Sequence, residues 1–409
     1  RRRIRRQAER QARPRVPAQE VGAGRAGSKE KDAFTMTHLK DIEFGLTSAQ
    51  EEARRNPSLL VDGFIDIGDI QEKTERGRAF LLLGYKGSGK SAVAERLRLL
   101  SDGQSQRFVK SVNLGDLPYS RIAKMVRGDI EPESKYPTAW KLIILLQTLD
   151  SLSEDAYASF SSPQYFEESV RFLRGIGLIP NADIKNIVNT VSQKTFQFKI
   201  PKVFSALRNS NYLNEVSNIG DFSDHLLETV CSCNTESTHF LVFDGLDEIL
   251  TKRKNQFEAI GGLIFEAYRL NNAFADRGIP VRIVVLCRTD IFERVSAPNR
   301  NKIRQDAAYH FNWYSDPSKP RESLLVSIVN KRATLSLGRE CDVFSEFFPK
   351  RGRRKSGLTK EILGMTRFTP RDVISLMNYI QKTVSGENVS LDEVYNGMRL
   401  YSIEYFIPE

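Results

Sequence analysis

Apolar residues in this 409-residue chain follow two rhythms. Short runs at Ala79–Leu83 (AFLLL), Phe240–Phe243 (FLVF) and Val281–Leu286 (VRIVVL) are apolar on consecutive positions, as in strands buried on both faces of a parallel sheet. Arg107–Leu114 (RFVKSVNL) alternates instead and is closed by Gly115-Asp116-Leu117-Pro118, which predicts another strand. A fifth is read at Ala307–Tyr314. Elsewhere the spacing is helical. Ile184, Ile187, Val188 and Val191 fall on one face, as do Phe257, Ile260, Ile264 and Tyr268 within 256–274. From Pro320 onward the pattern is wholly helical: Leu325, Ile328 and Val329, then Val373, Leu376, Met377 and Ile380, then Leu391, Val394, Tyr395 and Met398. Pro370 stands at a first-turn position, and Ser390-Leu391-Asp392-Glu393 is a capping box. The pattern predicts an α/β fold with a helical C-terminal part.

The order of these segments divides the chain. Residues 1–35, rich in Arg, Pro, Gly and Ala, carry almost no apolar periodicity and are expected to form a disordered basic tail. Met36 opens a segment of different character. Either it is the true start and the tail is upstream sequence, or the tail is a basic arm for nucleic acid or membrane, or it is an Arg-rich transit peptide, against which Glu9, Glu20 and Glu30 count. Residues 36–137 are the first part of the core, with a helical lead-in at 37–77 broken at Gly63. Residues 138–230 show no strand signal and are read as a helical insertion between the second and third core strands, with a Ser-, Phe- and Tyr-rich stretch at 151–168 as a loop or partner surface. Residues 231–318 complete the core, and 319–409 form the C-terminal helical domain, with a further domain beyond it left open.

Chemistry concentrates where the first strand ends. Gly84-Tyr85-Lys86-Gly87-Ser88-Gly89-Lys90-Ser91, followed by Ala92, is G-x-x-x-x-G-K-[ST] with a strand before it and a helix after it. Glycines let backbone N–H groups turn onto phosphate oxygens, and the helix N-terminus adds partial positive charge. In that pattern Lys90 reaches the β- and γ-phosphates of a nucleotide, and Ser91 holds Mg²⁺. The run Phe240–Phe243 delivers Asp244 at a strand end, where a second Mg²⁺ ligand belongs. Asp247 and Glu248 follow one short turn later. Either can orient and deprotonate an attacking water, although acids favoured by a helix dipole account for them as well. The fourth strand ends in Cys287-Arg288-Thr289-Asp290, so Arg288 or Thr289 is a candidate γ-phosphate sensor, or Arg288 simply pairs with Asp290. Arg294, Arg300, Lys302 and Arg304 either supply an arginine finger to a neighbouring subunit or form a solvated face.

Composition changes this picture in one respect. The net charge of +10 is concentrated at the start: 11 Lys and Arg face 4 Asp and Glu in residues 1–35, which leaves a net +3 for the rest. The body is close to neutral, which argues against nucleic-acid binding despite the loop-borne cluster Lys350-Arg351-Gly352-Arg353-Arg354-Lys355. Cys231, Cys233, Cys287 and Cys341 are too scattered for a disulfide framework, and the single C-x-C lacks a second pair for zinc. A reduced, cytoplasmic protein is expected. No run approaches the roughly 18 apolar residues of a membrane span; the stretch Trp140–Leu149 is interrupted by Lys141 and Gln147.

GYKGSGKSA, FLVFDGLDE and VVLCRTD, in this order and spacing, resemble the STAND/AAA+-like branch of P-loop NTPases. DGLDE is similar to the extended Walker B of NACHT-type STAND ATPases, and TRFTPRDVISLMNYIQ resembles the helical lid of that superfamily and of origin-recognition-type AAA+ proteins. Bacterial stand-alone P-loop ATPases are the nearest likeness, over roughly residues 60–405. The resemblance implies a five-stranded parallel sheet in the order 5-1-4-3-2 and a lid that closes on the nucleotide. It matches Lys90 and Ser91 to Walker A, Asp244 to the metal carboxylate, Asp247 or Glu248 to the catalytic acid, Arg288 to the sensor and Arg371 to a lid arginine. It further implies ATP and Mg²⁺ as cofactors and hydrolysis coupled to a conformational or oligomeric switch in signalling or phage defence, with homo-oligomers or a signalling protein as partners. The insertion at 138–230 departs from those relatives, and no winged-helix DNA-binding domain is evident after the lid. A DNA-associated ATPase of the origin or transposition type, and a nucleotide-held scaffold with negligible turnover, are the alternatives.

Overall fold

Five parallel strands organise the computed structural model, which describes residues 38–115, 117–126, 132–180, 183–193, 219–246, 254–295, 299–354, 356–386 and 388–409. The sheet strands are β1 (Leu81–Gly84), β2 (Arg107–Asn113), β5 (Thr238–Asp244), β6 (Val281–Arg288) and β7 (Ala308–His310); Ser159–Phe160 (β3) and Cys233–Asn234 (β4) form a separate antiparallel pair. Across the sheet the order is β2-β5-β6-β1-β7. Numbered over the whole chain this differs from 5-1-4-3-2, because the pattern at 138–230 gives no sign of β3 and none marks β4. Ranked among the five sheet strands alone, it is the succession 5-1-4-3-2 read from the β7 edge.

The helices follow in chain order: α1 (Ala49–Arg55), α2 (Pro57–Asp62) and α3 (Ile70–Glu75) precede β1, and α4 (Lys90–Ser101) follows it. Between β2 and β5 come α5 (Tyr119–Met125), α6 (Pro132–Ser153), α7 (Pro163–Gly175), α8 (Ile184–Val191) and α9 (Ile219–Cys231). Next are α10 (Lys254–Asp276), α11 (Thr289–Arg294) and α12 (Arg300–Asp306). The C-terminal part holds α13 (Leu324–Leu337), α14 (Val343–Glu346), α15 (Leu358–Leu363), α16 (Pro370–Thr383) and α17 (Leu391–Tyr401). Pro370 takes the first turn of α16, and Ser390 and Glu393 close a reciprocal capping box on α17.

Consecutive apolar residues are required because both sheet faces are covered. Leu81, Leu83, Leu241, Phe243, Ile283, Val285 and Cys287 point to one face, where α6 and α10 pack. Leu82, Phe240, Val242, Val284 and Leu286 point to the other, against Val93, Ala94 and Leu97 of α4 and Phe64 and Ile70 of the lead-in. The helical segment after β2 is therefore a wall of the core rather than an appendage: Trp140, Ile143 and Leu146 are fully buried in the strands' own cluster, and Trp140 Nε1 donates to Ala259 O at 2.7 Å. β2 lies at the edge and is only half-buried, consistent with its alternating, charge-bearing sequence.

A second apolar cluster joins the lead-in to the C-terminal helices, with Leu39, Ile42 and Phe44 buried among residues of α13, α16 and α17. Within it Glu52 of α1 meets Arg332 of α13 in a two-point ion pair, both contacts 2.8 Å. Both residues are buried. Arg332 Nη1 also donates to Phe44 O at 2.6 Å, and Leu46 N donates to Glu52 Oε1 at 2.8 Å. Breaking such a pair leaves a lone buried charge, so Arg332→Met is expected to lower unfolding free energy by about 3–5 kcal/mol. Glu52→Met added to it should recover most of the loss. A denaturant series in which the double variant is no more stable than Arg332→Met would refute a pairwise role.

Candidate functional site

Parallel register brings four strand ends to one edge: Gly84 pairs with Arg288, and Asn113 with Asp244. Open α/β sheets bind ligands at this carboxyl edge. The glycine-rich loop lies here because β1 must turn sharply into α4. Gly87 and Gly89 take φ of 81° and 95°, which L side chains rarely adopt. A Cβ on Gly87 would stand 3.0 Å from Arg371 Cβ and 3.1 Å from Thr369 Oγ1, and one on Gly84 would collide with Ser88 Oγ. Loop and α16 are thus in direct contact, with Arg371 N donating to Gly87 O at 3.4 Å.

Lys90 opens α4 and is buried; its ammonium donates to Gly84 O at 3.1 Å and Tyr85 O at 3.2 Å. Ser91 Oγ donates to Asp244 Oδ2 at 2.8 Å, joining groups 153 positions apart, while Asp244 Oδ1 accepts from Gly245 N at 2.7 Å. The Ser88 hydroxyl is buried without a hydrogen-bond partner. Beside the loop lies a cavity of about 70 Å³, walled by Gly87–Ala92, by Leu46, Thr47 and Phe64 of the lead-in, and by Pro370, Arg371 and Ile374 of α16. Arg371 Nε donates to Thr47 O at 3.0 Å across it.

The structure thus gathers Gly84, Tyr85, Lys86, Gly87, Ser88, Gly89, Lys90, Ser91 and Ala92 with Asp244 and Arg371. Arg288 reaches the same edge, but its guanidinium is held in a two-point pair with Asp290, at 3.0 and 2.8 Å. Asp247 and Glu248 lie outside the described residues, as does Lys355. Among the candidate finger residues, Arg300 donates to Glu293 O at 2.8 Å, Arg304 pairs with Glu293 at 2.7 Å, and Arg294 lies over the Phe257 ring. In the 350–355 cluster Arg353 pairs with Asp392 at 2.8 Å and covers the Tyr395 ring.

The fifth strand is shorter than its sequence indicates. Ladder pairing stops at His310, and Phe311 N makes a last bond to Leu83 O at 2.9 Å. The chain then turns over the loop, where Trp313 Nε1 donates to Ser88 O at 2.8 Å. Nothing in the local pattern distinguishes Trp313 from a strand residue. Glu409, whose carboxylate lies 2.6 Å from Lys86 Nζ, is likewise beyond sequence reasoning, because the contact spans the whole core. Thr47 had only a general signal, its place ahead of the first strand.

A second polar cluster, Ser151, His239 and Asp155, has the residue types of a hydrolytic triad without its geometry. His239 Nδ1 faces Ser151 Oγ at 2.8 Å and Nε2 faces Asp155 Oδ2 at 3.3 Å, with Phe108 stacked on the imidazole at 4.7 Å. In a hydrolase the serine meets Nε2 and is open to substrate; here all three residues are buried. This is a core histidine that ties α6 to the start of β5.

No protein-family model matches this chain, and no curated protein sequence matches it.

Two outcomes follow from these contacts. Trp313→Phe leaves Ser88 O without its donor, and is expected to lower stability by about 1–3 kcal/mol and to speed hydrogen exchange at Ser88 N–H, which bonds Tyr85 O at 3.1 Å. Unchanged exchange there would mean that the indole does not hold the loop. Burial pushes the His239 imidazole below its ordinary pKa despite Asp155, and burial takes His225 to about 4. The unfolded chain then binds more protons below pH ~6.5, so stability falls as pH drops through that range. The fall should be smaller in His239→Gln, read from denaturation midpoints; an identical pH profile would assign it elsewhere.

Proposed function

We propose that this chain is a Mg²⁺-dependent P-loop ATPase of STAND/AAA+-like type, which binds and hydrolyses ATP and uses the cycle to switch conformation or oligomeric state. The observation that carries this reading is the 2.8 Å bond from Ser91 Oγ to Asp244 Oδ2 at the mouth of a glycine-rich loop. The α/β sheet supports it, since the loop leaves β1, an interior strand of a parallel sheet, at its carboxyl edge.

The residues fit the groups the reading requires. Mg²⁺ favours oxygen ligands, bound through one or two protein groups together with ligand phosphates. A serine hydroxyl and an aspartate carboxylate in contact are such a donor set, whereas no group of three or more His, Cys, Asp or Glu able to hold a metal occurs among the described residues. Positive φ at Gly87 and Gly89 suits a turn whose backbone N–H groups face an anion, and the buried Ser88 hydroxyl has no hydrogen-bond partner. Bound Mg²⁺ would add positive charge at the β- and γ-phosphate oxygens.

Lys90 then exchanges carbonyl acceptors for phosphate oxygens, a gain for an ammonium that is already buried. Backbone N–H groups at the start of α4 hold the phosphates, and Arg371 approaches them from α16. Orientation and deprotonation of water fall to Asp247 or Glu248 by their spacing from Asp244. Arg288 serves as sensor by giving up its pair with Asp290.

The test is phosphate release from MgATP across a range of protein concentrations. Lys90→Ala and Asp244→Asn are expected to reduce turnover by about 10²–10³-fold, and Asp247→Asn combined with Glu248→Gln to abolish it while ATP still binds. Turnover that rises with concentration points to a residue acting between subunits. Tight ATP binding without turnover in the unmodified protein would remove the hydrolase claim and leave a nucleotide-held scaffold.

A further inference from the structure

After α17 the backbone widens into a π turn at Ser402–Phe406 and returns toward the glycine-rich loop. There Glu409 Oε1 lies 2.6 Å from Lys86 Nζ and 3.7 Å from Arg371 Nη1. A single carboxylate oxygen bridges a cation of the loop and a cation in the first turn of α16. The tail that carries it is anchored: Tyr405 and Phe406 pack on Tyr401 with ring centres 5.4 and 5.9 Å apart, and Arg367 covers the Phe406 ring at 5.3 Å.

Two cations this close repel unless an anion stands between them. Glu409 supplies one negative charge at that position, and a nucleoside triphosphate brings several. The cavity behind the pair holds about 70 Å³, whereas a ligand pocket for a small molecule holds upward of ~300 Å³. The bridge ties α16 to the loop beside this cavity, so it opposes any movement of α16 that widens the space for phosphates.

We propose that Glu409 is an autoinhibitory latch. It holds Lys86 and Arg371 together across the mouth of the site, and the phosphates of an incoming nucleotide compete with its carboxylate for the same two cations. The latch rests on the nucleotide reading above. Glu409→Gln keeps the shape of the side chain and removes its charge, so the variant isolates the electrostatic part.

The experiment is calorimetric titration of the full chain and of Glu409→Gln with MgATP at about 0.05 M and 0.5 M salt, with Lys90→Ala as reference. Because the bridge is partly exposed, the variant should bind about two- to fivefold more tightly at low salt, and the two proteins should converge at high salt as screening weakens the bridge. Hydrogen exchange without nucleotide should rise in the variant at Gly87–Lys90 and at the start of α16. Equal affinities at low salt, with Lys90→Ala impaired, would overturn the latch and leave the nucleotide site standing. Absence of MgATP binding in both proteins would overturn the nucleotide reading and the latch with it.

Discussion

Burial of β1 on both faces is the constraint on which the rest of the structure depends. Leu81, Leu82 and Leu83 are fully enclosed, and side chains of this size contribute about 1.5–3 kcal/mol each when removed from water. They can be covered only if helices lie on opposite faces of a parallel sheet, so the strand must be followed by a crossover helix. Its turn must be tight because Gly84 is hemmed in by Ser88 and by the chain leaving β7. Position and conformation of the glycine-rich loop are thus consequences of core packing.

The same constraint explains why the chemistry gathers at one edge. Parallel strands in register end together, and β1, β6, β5 and β2 present Gly84, Arg288, Asp244 and Asn113 side by side. A buried lysine at this edge is expensive to desolvate. Lys90 donates there to two loop carbonyls, which offsets part of that cost. The C-terminal helices touch the glycine-rich loop through Arg371 and are held to the lead-in by the Glu52–Arg332 pair and by Gln381 and Asn378, whose side-chain amides donate to Leu39 O, Ile42 O and Gly45 O.

Much of this was legible because it is local. An apolar run, a glycine-rich octapeptide and an apolar run ending in aspartate each report a backbone state within a few residues, and the structure brings the loop and Asp244 into contact through Ser91. The part of the pattern that misled was also local. Residues 311–314 carry strand-forming side chains, yet Trp313 leaves the ladder because its indole reaches Ser88 O. Helical spacing at 138–230 agrees with the helices found between β2 and β5, but does not show that Trp140 and its neighbours form a wall of the sheet. A fully buried helix has no polar face to announce which partner it covers.

By itself the sequence determined the periods, the turns and the identity of the polar groups at strand ends, since these depend on sterics and solvation within a few residues. Tertiary structure alone decided which distant groups meet: Ser91 with Asp244, Glu52 with Arg332, Glu409 with Lys86 and Arg371. Those pairings depend on how layers pack and on which charges are left without water. Neither quantity is written in any one segment of the chain.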